Sequence, residues 1–207
     1  MIALSTLSFG SLWGYTPRPE TDEQRKSKTL MYDLKQDKGN PRTIESAVSE
    51  LTKHNFKNFF GPEVALVPVP KSSLMKKGTL WTPLRIVQEM ERQGLGIVSA
   101  CLERTTPVPK AATAQSELRP KVRDHIASIT LKPSLHMPER IVLVDDIVTR
   151  GSTLLGCANV FKRQYPDADI KGFAIIRTIS NPEEFRSITD PVKGTIRLQG
   201  VETFRNP

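Results

Sequence analysis

The sequence predicts a three-layer α/β fold: a mainly parallel central sheet between helices, with a small cap contributed by the termini. Three observations predict it. Short apolar runs rich in β-branched residues occupy residues 64–69, 96–100, 141–145 and 172–178, each the length of one strand buried on both faces. Segments with helical spacing separate them, among them Ile44, Val48 and Leu51, and then Leu80, Leu84 and Val87. Strand and helix in alternation is the pattern of crossover units, whose helices cover both faces of a parallel sheet.

The elements follow in chain order. Residues 1–42 are read as the N-terminal cap region, with a strand pair over 2–15 and a short helix over 24–35. The core spans 43–178 and opens with helices over 43–60 and 80–93, each covering one sheet face. Residues 125–132 are expected to add a further strand. Residues 179–207 form a C-terminal extension with Pro182, Pro191 and Pro207 and only a weak strand pattern over 195–203. Pro and Gly punctuate the joints, at Pro17 and Pro19, Gly39 and Pro41, Gly61 and Pro62, and Pro107 and Pro109, where they mark turns. A length of 207 residues fits a single domain, 1–207, and no second one is drawn.

Composition narrows the function. Hydrophobic residues make up 38% and charged residues 25%, which excludes wholesale disorder and allows a sizeable core. The apolar runs fall well short of the roughly 20 residues that span a bilayer, and the interrupted N-terminal segment is unlike a secretory leader. A cytoplasmic location with no membrane partner is expected. Two cysteines, Cys101 and Cys157, are too few for a disulfide framework and read as buried hydrophobes. The histidines His54, His125 and His136 are scattered, without zinc-ligand spacing, and receive no catalytic role. A net charge of +8 and a pI near 9.6 imply attraction to anions. With no long basic run or aromatic ladder, a small anion is preferred to nucleic acid.

The informative stretch runs from Ile141 through Asp145 and Asp146 to Thr153: an apolar strand, two acids, then Ile147, Val148, Thr149, Arg150, Gly151, Ser152 and Thr153. A helix follows, its apolar face drawn by Leu154, Ala158 and Phe161, with Ser152 or Thr153 as its cap. In an open parallel sheet, ligands collect outside the carboxyl ends of the strands, and helix N-termini hold anions. Gly151 would let the backbone approach a phosphate. The amides of Val148, Thr149, Arg150, Gly151, Ser152 and Thr153, with the three hydroxyls among them, would donate to its oxygens. Carboxylates beside a phosphate need hydroxyl donors or a cation, and a ribose offers two hydroxyls. A sugar 5-phosphate therefore accounts for both halves of the motif. The plainer reading, an acid pair that ends a strand and caps a helix, fits a shorter motif than this one. A nucleotide-binding P-loop and a Rossmann turn both fail on glycine spacing.

The stretch Val142-Leu143-Val144-Asp145-Asp146-Ile147-Val148-Thr149-Arg150-Gly151-Ser152-Thr153 resembles the phosphoribosyl pyrophosphate signature of type I phosphoribosyltransferases. Leu66-Val67-Pro68-Val69-Pro70, the later Gln115 and Arg123, and Leu34-Lys35 resemble the competence protein ComF group, loosely over residues 10–178. The resemblance implies a phosphoribosyltransferase that binds phosphoribosyl pyrophosphate with Mg²⁺ and transfers the phosphoribosyl group to a nitrogen acceptor, displacing pyrophosphate with inversion. Catalysis would lie in positioning and in stabilising the leaving group. Asp145 and Asp146 would hold the ribose and meet the metal only through the Mg²⁺-bound ligand. Lys71 and Ser72, after the first core strand, resemble the family's pyrophosphate loop, with Lys71 as a catalytic candidate; a solvated turn lysine is its ordinary reading. Residues 104–123 match the place of the family's flexible loop, with Arg104, Gln115 and Arg123 facing the leaving group. Arg150 departs from the threonine often found before the glycine. The acceptor pocket would lie near Arg177 and Thr178, and nothing there identifies the acceptor.

The rival reading is a non-catalytic protein that senses ribose phosphate, or a ComF-like partner in DNA uptake or repair; fold alone does not choose between them. Nucleic acid and a second copy of the chain, as a homodimer, remain partners that the resemblance allows.

Overall fold

The computed structural model describes residues 2–35, 42–75, 78–109, 119–132 and 139–207. Five of its strands run parallel, side by side, in one seven-stranded sheet: β1 (Thr6–Tyr15), β2 (Ala65–Pro68), β3 (Ile97–Val98, at the edge), β6 (Arg140–Val148) and β7 (Asp169–Thr178). Two more, β8 (Thr189–Gln199) and β9 (Glu202–Asn206), join antiparallel, giving the order β3-β2-β6-β7-β1-β8-β9. The pair β4 (Leu102–Arg104) and β5 (Ile129–Leu131) forms a separate small antiparallel sheet.

Helices cover both faces, as alternation of side chains along the strands requires. On one face α1 (Asp22–Lys35), α2 (Arg42–Thr52) and α3 (Thr82–Arg92) bury Leu34, Val48, Ile86 and Met90 against Leu66, Val142 and Val144. On the other, α4 (Val122–Ser128), α5 (Ser152–Gln164) and the β4–β5 pair bury Ile126, Leu155 and Phe161 against Val67, Ile141 and Leu143. The three-layer α/β class with a mainly parallel sheet is therefore observed. Cys101 and Cys157 are free and buried, as expected. Among the described residues, no helix is long and apolar enough to cross a membrane.

Several elements differ from the sequence reading. Residues 2–15 do not form a strand pair: Thr6–Tyr15 is one strand in the interior of the sheet, paired with β7 on one side and β8 on the other. Gly10 looks like a turn signal but serves close packing, since a Cβ there would lie 2.9 Å from the Phe56 ring. The C-terminal extension likewise is part of the sheet, as the β8–β9 hairpin. The termini thus build the sheet more than they cap it.

The helix expected over 43–60 ends at Thr52. Residues 53–60 turn so that Phe56 and Phe60 meet Phe173 edge-on, with ring centroids 5.4 and 5.1 Å apart, an arrangement the ring quadrupole favours. The strand expected over 125–132 is mostly helix α4, and only Ile129–Leu131 pairs as β5. Asp124 accepts from the Lys121 amide at 2.7 Å and so closes the first turn of α4. The turn expected at Gly39 and Pro41 lies outside the described residues.

Candidate functional site at the carboxyl edge of the sheet

Parallel pairing brings the carboxyl ends of β2, β6, β7 and β1 to one edge. Val69 N–H donates to the Val144 carbonyl at 2.9 Å, and Val148 stands opposite Arg177 in the β6–β7 ladder. At this edge lies a cavity of about 450 Å³, lined by Asp145, by residues 147–154, and by side chains from five other segments.

Asp145 faces this cavity, and its Oδ1 accepts from the Asp146 amide at 2.9 Å. Burial, then the neighbouring charge of Asp146, holds its carboxyl well above the usual carboxylate range, while Lys35 acts weakly in the other direction. Asp146 Oδ1 accepts from the Ile147 amide at 2.8 Å, and Asp146 is not among the residues lining the cavity. The two acids are adjacent, but only one of them lines the space.

The strand continues through both acids to Val148 before the chain turns. Val148, Thr149, Arg150, Gly151, Ser152 and Thr153 all line the cavity, as the sequence places them. Gly151 is the N-cap of α5 with φ +86°, a left-handed conformation that glycine adopts without steric cost. Its missing side chain also makes room for Ile196 of β8, whose Cδ1 lies 2.5 Å from where a Cβ would stand. The cap is not a side chain: neither Ser152 nor Thr153 caps α5. Their hydroxyls pair within the fold instead, Ser152 with Thr203 at 2.7 Å and Thr153 with His125 Nε2 at 3.4 Å, while Thr149 pairs with Thr178 at 3.0 Å. The first amides of α5 have no carbonyl partner within the helix, as at every helix start, and are available to an anion.

The flanking candidates are placed differently. Arg104 is a buried residue of β4, 2% exposed. Its guanidinium donates to the Lys71 carbonyl, to Ser128 Oγ at 2.6 Å and towards His125 Nδ1 at 3.4 Å. It is a strut beneath the site, held in the β4–β5 pair and not in a loop. Arg123, on α4, lines a shallow hollow with Ile2 and Arg163, away from the acids. Gln115 lies outside the described residues. Lys71 and Ser72 follow β2 at the same sheet edge but do not line the cavity, and the Ser72 carbonyl accepts from Val108 N–H at 2.9 Å.

Further residues complete the walls, among them Lys121 from the stretch 104–123 that the sequence reading assigned to the flexible loop. Tyr15 and Arg18 enter from the end of β1, Lys121 from the start of α4, and Glu202 from β9. Glu202 holds both Lys121 and, at 3.2 Å, Arg150, and these cations lower its pKa, Lys121 first. His125 is buried at the back of the cavity, and burial and the Arg104 charge bring its pKa down to about 4. Glu202 and His125 carried no local signal, because the partners that place them lie 21 to 81 positions away in sequence.

Among the described residues, no group of three or more His, Cys, Asp or Glu is placed to hold a metal. Mg²⁺ commonly takes one or two carboxylates and completes its shell with water and substrate phosphates; of the acid pair, only Asp145 lines the cavity where such an ion would travel with a bound phosphate.

No family model and no curated protein matches the chain. Among solved structures, it is similar to the xanthine-guanine-hypoxanthine phosphoribosyltransferase of Helicobacter pylori, with 16% identity, coverage of 84% of this chain and 82% of that one, and a TM-score of 0.29. It is also similar to a hypoxanthine phosphoribosyltransferase from Staphylococcus aureus, with 12% identity, coverage of 78% and 76%, and a TM-score of 0.35. Likeness at these scores carries no argument about chemistry, so the α/β class rests on strand order and layering, and the function rests on the cavity.

Proposed function

We propose that this chain is a phosphoribosyltransferase that binds phosphoribosyl pyrophosphate with Mg²⁺ and transfers the phosphoribosyl group to a nitrogen acceptor, releasing pyrophosphate. One observation carries the reading: Asp145 and the turn that opens α5 line the same cavity at the carboxyl end of β6. A phosphate at the helix start and a ribose hydroxyl at Asp145 are the groups this pairing suits.

In this reading the amides of residues 150–154 hold the 5-phosphate. Asp145 orients the sugar, and Asp146 supports it from the side through the hydrogen bond its amide gives to Asp145. Lys121 and Arg150, drawn together by Glu202, place positive charge at the cavity wall where a pyrophosphate would gather it. When bound, Mg²⁺ would neutralise the leaving group, carried by the ligand's own oxygens next to the two acids. Lys71 stays a candidate for the leaving group because its turn emerges beside Val144. The acceptor would enter from the Tyr15 and Arg18 side.

The test is pyrophosphate release from phosphoribosyl pyrophosphate and Mg²⁺ across a panel of amine and base acceptors, with the Asp145→Asn/Asp146→Asn variant as control. Acceptor-dependent release by the native chain, falling at least 100-fold in the variant, is expected. Tight binding without release under any acceptor would replace the transferase with a ribose-phosphate sensor. Salt-sensitive DNA binding that ignores the metabolite would turn the reading to nucleic acid.

A further inference from the structure

Arg205 does not line the cavity, yet it is bonded to two strand ends that do. From β9 its guanidinium donates to the Thr149 carbonyl at 2.9 Å, the Thr178 carbonyl at 2.6 Å and a main-chain oxygen of Pro207 at 2.7 Å. Its charge rests 5.6 Å from the centre of the Phe9 ring. Burial, with the nearby charge of Arg177, lowers its pKa to about 10, so it stays charged at neutral pH. Thr149 and Thr178 are the first residues beyond, or at, the carboxyl ends of β6 and β7, and both line the cavity.

Peptide geometry turns that anchor into a directional device. The Thr149–Arg150 bond is trans, so the Thr149 carbonyl and the Arg150 N–H lie in one plane and point in opposite directions. A carbonyl held towards Arg205 therefore sends the next amide away from it, towards the side on which Thr149 and Arg150 meet the cavity. That amide has no acceptor among the described residues. Gly151 follows with its left-handed φ, and the amides that open α5 come next, so the Arg150 N–H stands first in the row of donors assigned to the 5-phosphate.

We propose that Arg205 is a positioning residue for the anion site: by fixing the Thr149 carbonyl outward, it commits the Arg150 amide inward as a donor to a sugar 5-phosphate. The inference rests on the reading of the cavity as a ribose-phosphate site. It assigns the C-terminal hairpin a role in ligand binding beyond completing the sheet. A guanidinium suits the task because its rigid planar fork holds two carbonyls on adjacent strands in a fixed geometry, where a lysine offers a rotatable point charge.

The experiment is a titration of the ¹⁵N-labelled full chain with ribose 5-phosphate, for the native protein, Arg205→Met and Arg205→Lys, with thermal unfolding of each. The native Arg150 amide should shift on binding. In Arg205→Met the affinity should drop by about tenfold, the loss expected for one directed bond to a charged phosphate, and the Arg150 amide should no longer respond. Arg205→Lys should recover only part of the affinity, and it carries the same test if the methionine variant does not fold. Native affinity and a native Arg150 response in either folded variant would overturn the proposal, leaving Arg205 as a brace for β9 alone. If the native chain itself does not bind ribose 5-phosphate, the ribose-phosphate reading falls and this inference falls with it.

Discussion

Asp145 is the residue where stability and function conflict. Its pKa in the fold is raised, by burial first and Asp146 second, so folding disfavours its ionised form. The sign follows from linkage: there is no penalty below the unfolded value near 3.8, and stability is lost as pH rises through the folded value. Asp145→Asn should therefore raise the calorimetric unfolding midpoint at pH 7, with the gain vanishing by about pH 4, while ribose 5-phosphate binding is lost. An equal change at both pH values would count against this account. His125 has the opposite dependence. Its pKa falls from 6.5 to about 4, so its neutral form contributes stability that is complete above about 6.5 and drains away as pH falls towards 4, on the order of 3 kcal/mol. A His125→Asn variant that kept the same slope of stability with pH in that window would show the histidine to be a bystander. The acid pair and the turn after it were legible from residue types alone. The histidine was not, because the partners of its ring, Arg104 and Thr153, arrive from two other elements.

At the scale of elements, the packing of α4 on α5 depends on an absent side chain. A Cβ at Gly156 would stand 2.5 Å from His125 Cβ and 3.4 Å from the Val122 carbonyl, and the obstacle is the stem of a buried residue, not a mobile tip. Gly156→Ala should push α4 outward and cost about 1–3 kcal/mol, as overpacking does, despite alanine's better helix propensity. Urea unfolding measures this; a stabilised variant would mean that α4 yields freely. This contact also explains why α4 was missed. Its seven residues give less than two turns of periodicity, and the run His125-Ile126-Ala127-Ser128-Ile129 reads as a strand until α5 is there to receive Val122 and Ile126. The strand β6 was underestimated for a related reason: Asp145 and Asp146 are poor strand formers, but pairing of Asp145 with Ala174 and of Ile147 with Ile176 carries the ladder past them.

For the whole molecule, the hairpin of β8 and β9 joins the sheet's edge to its site. It covers the edge of β1, sets Ile196 against Gly151, and sends Glu202, Thr203 and Arg205 to the loop that follows β6. Deleting residues 189–207 should leave β1 as an unpaired apolar edge, which invites association, and should unseat the turn at Gly151. Size-exclusion chromatography of the truncated chain should show aggregation, and ribose 5-phosphate binding should disappear. A monomeric fragment of residues 1–188 that still bound the phosphate would separate the hairpin from the site.

By itself, the sequence determined the α/β class, the buried strands at the centre, and the place of the Asp145–Thr153 motif at the end of one of them. These are properties of local period and of contiguous residue types. Only the tertiary structure decided that Thr6–Tyr15 is an interior strand, that Arg104 is a buried strut and Arg123 lies elsewhere, and that Lys121, Glu202 and Arg205 surround the loop. The physical reason is separation along the chain. Glycines that pack against rings, and polar side chains that meet across 50 or more residues, carry no mark in their own neighbourhoods, because their partners exist only once the sheet has closed around them.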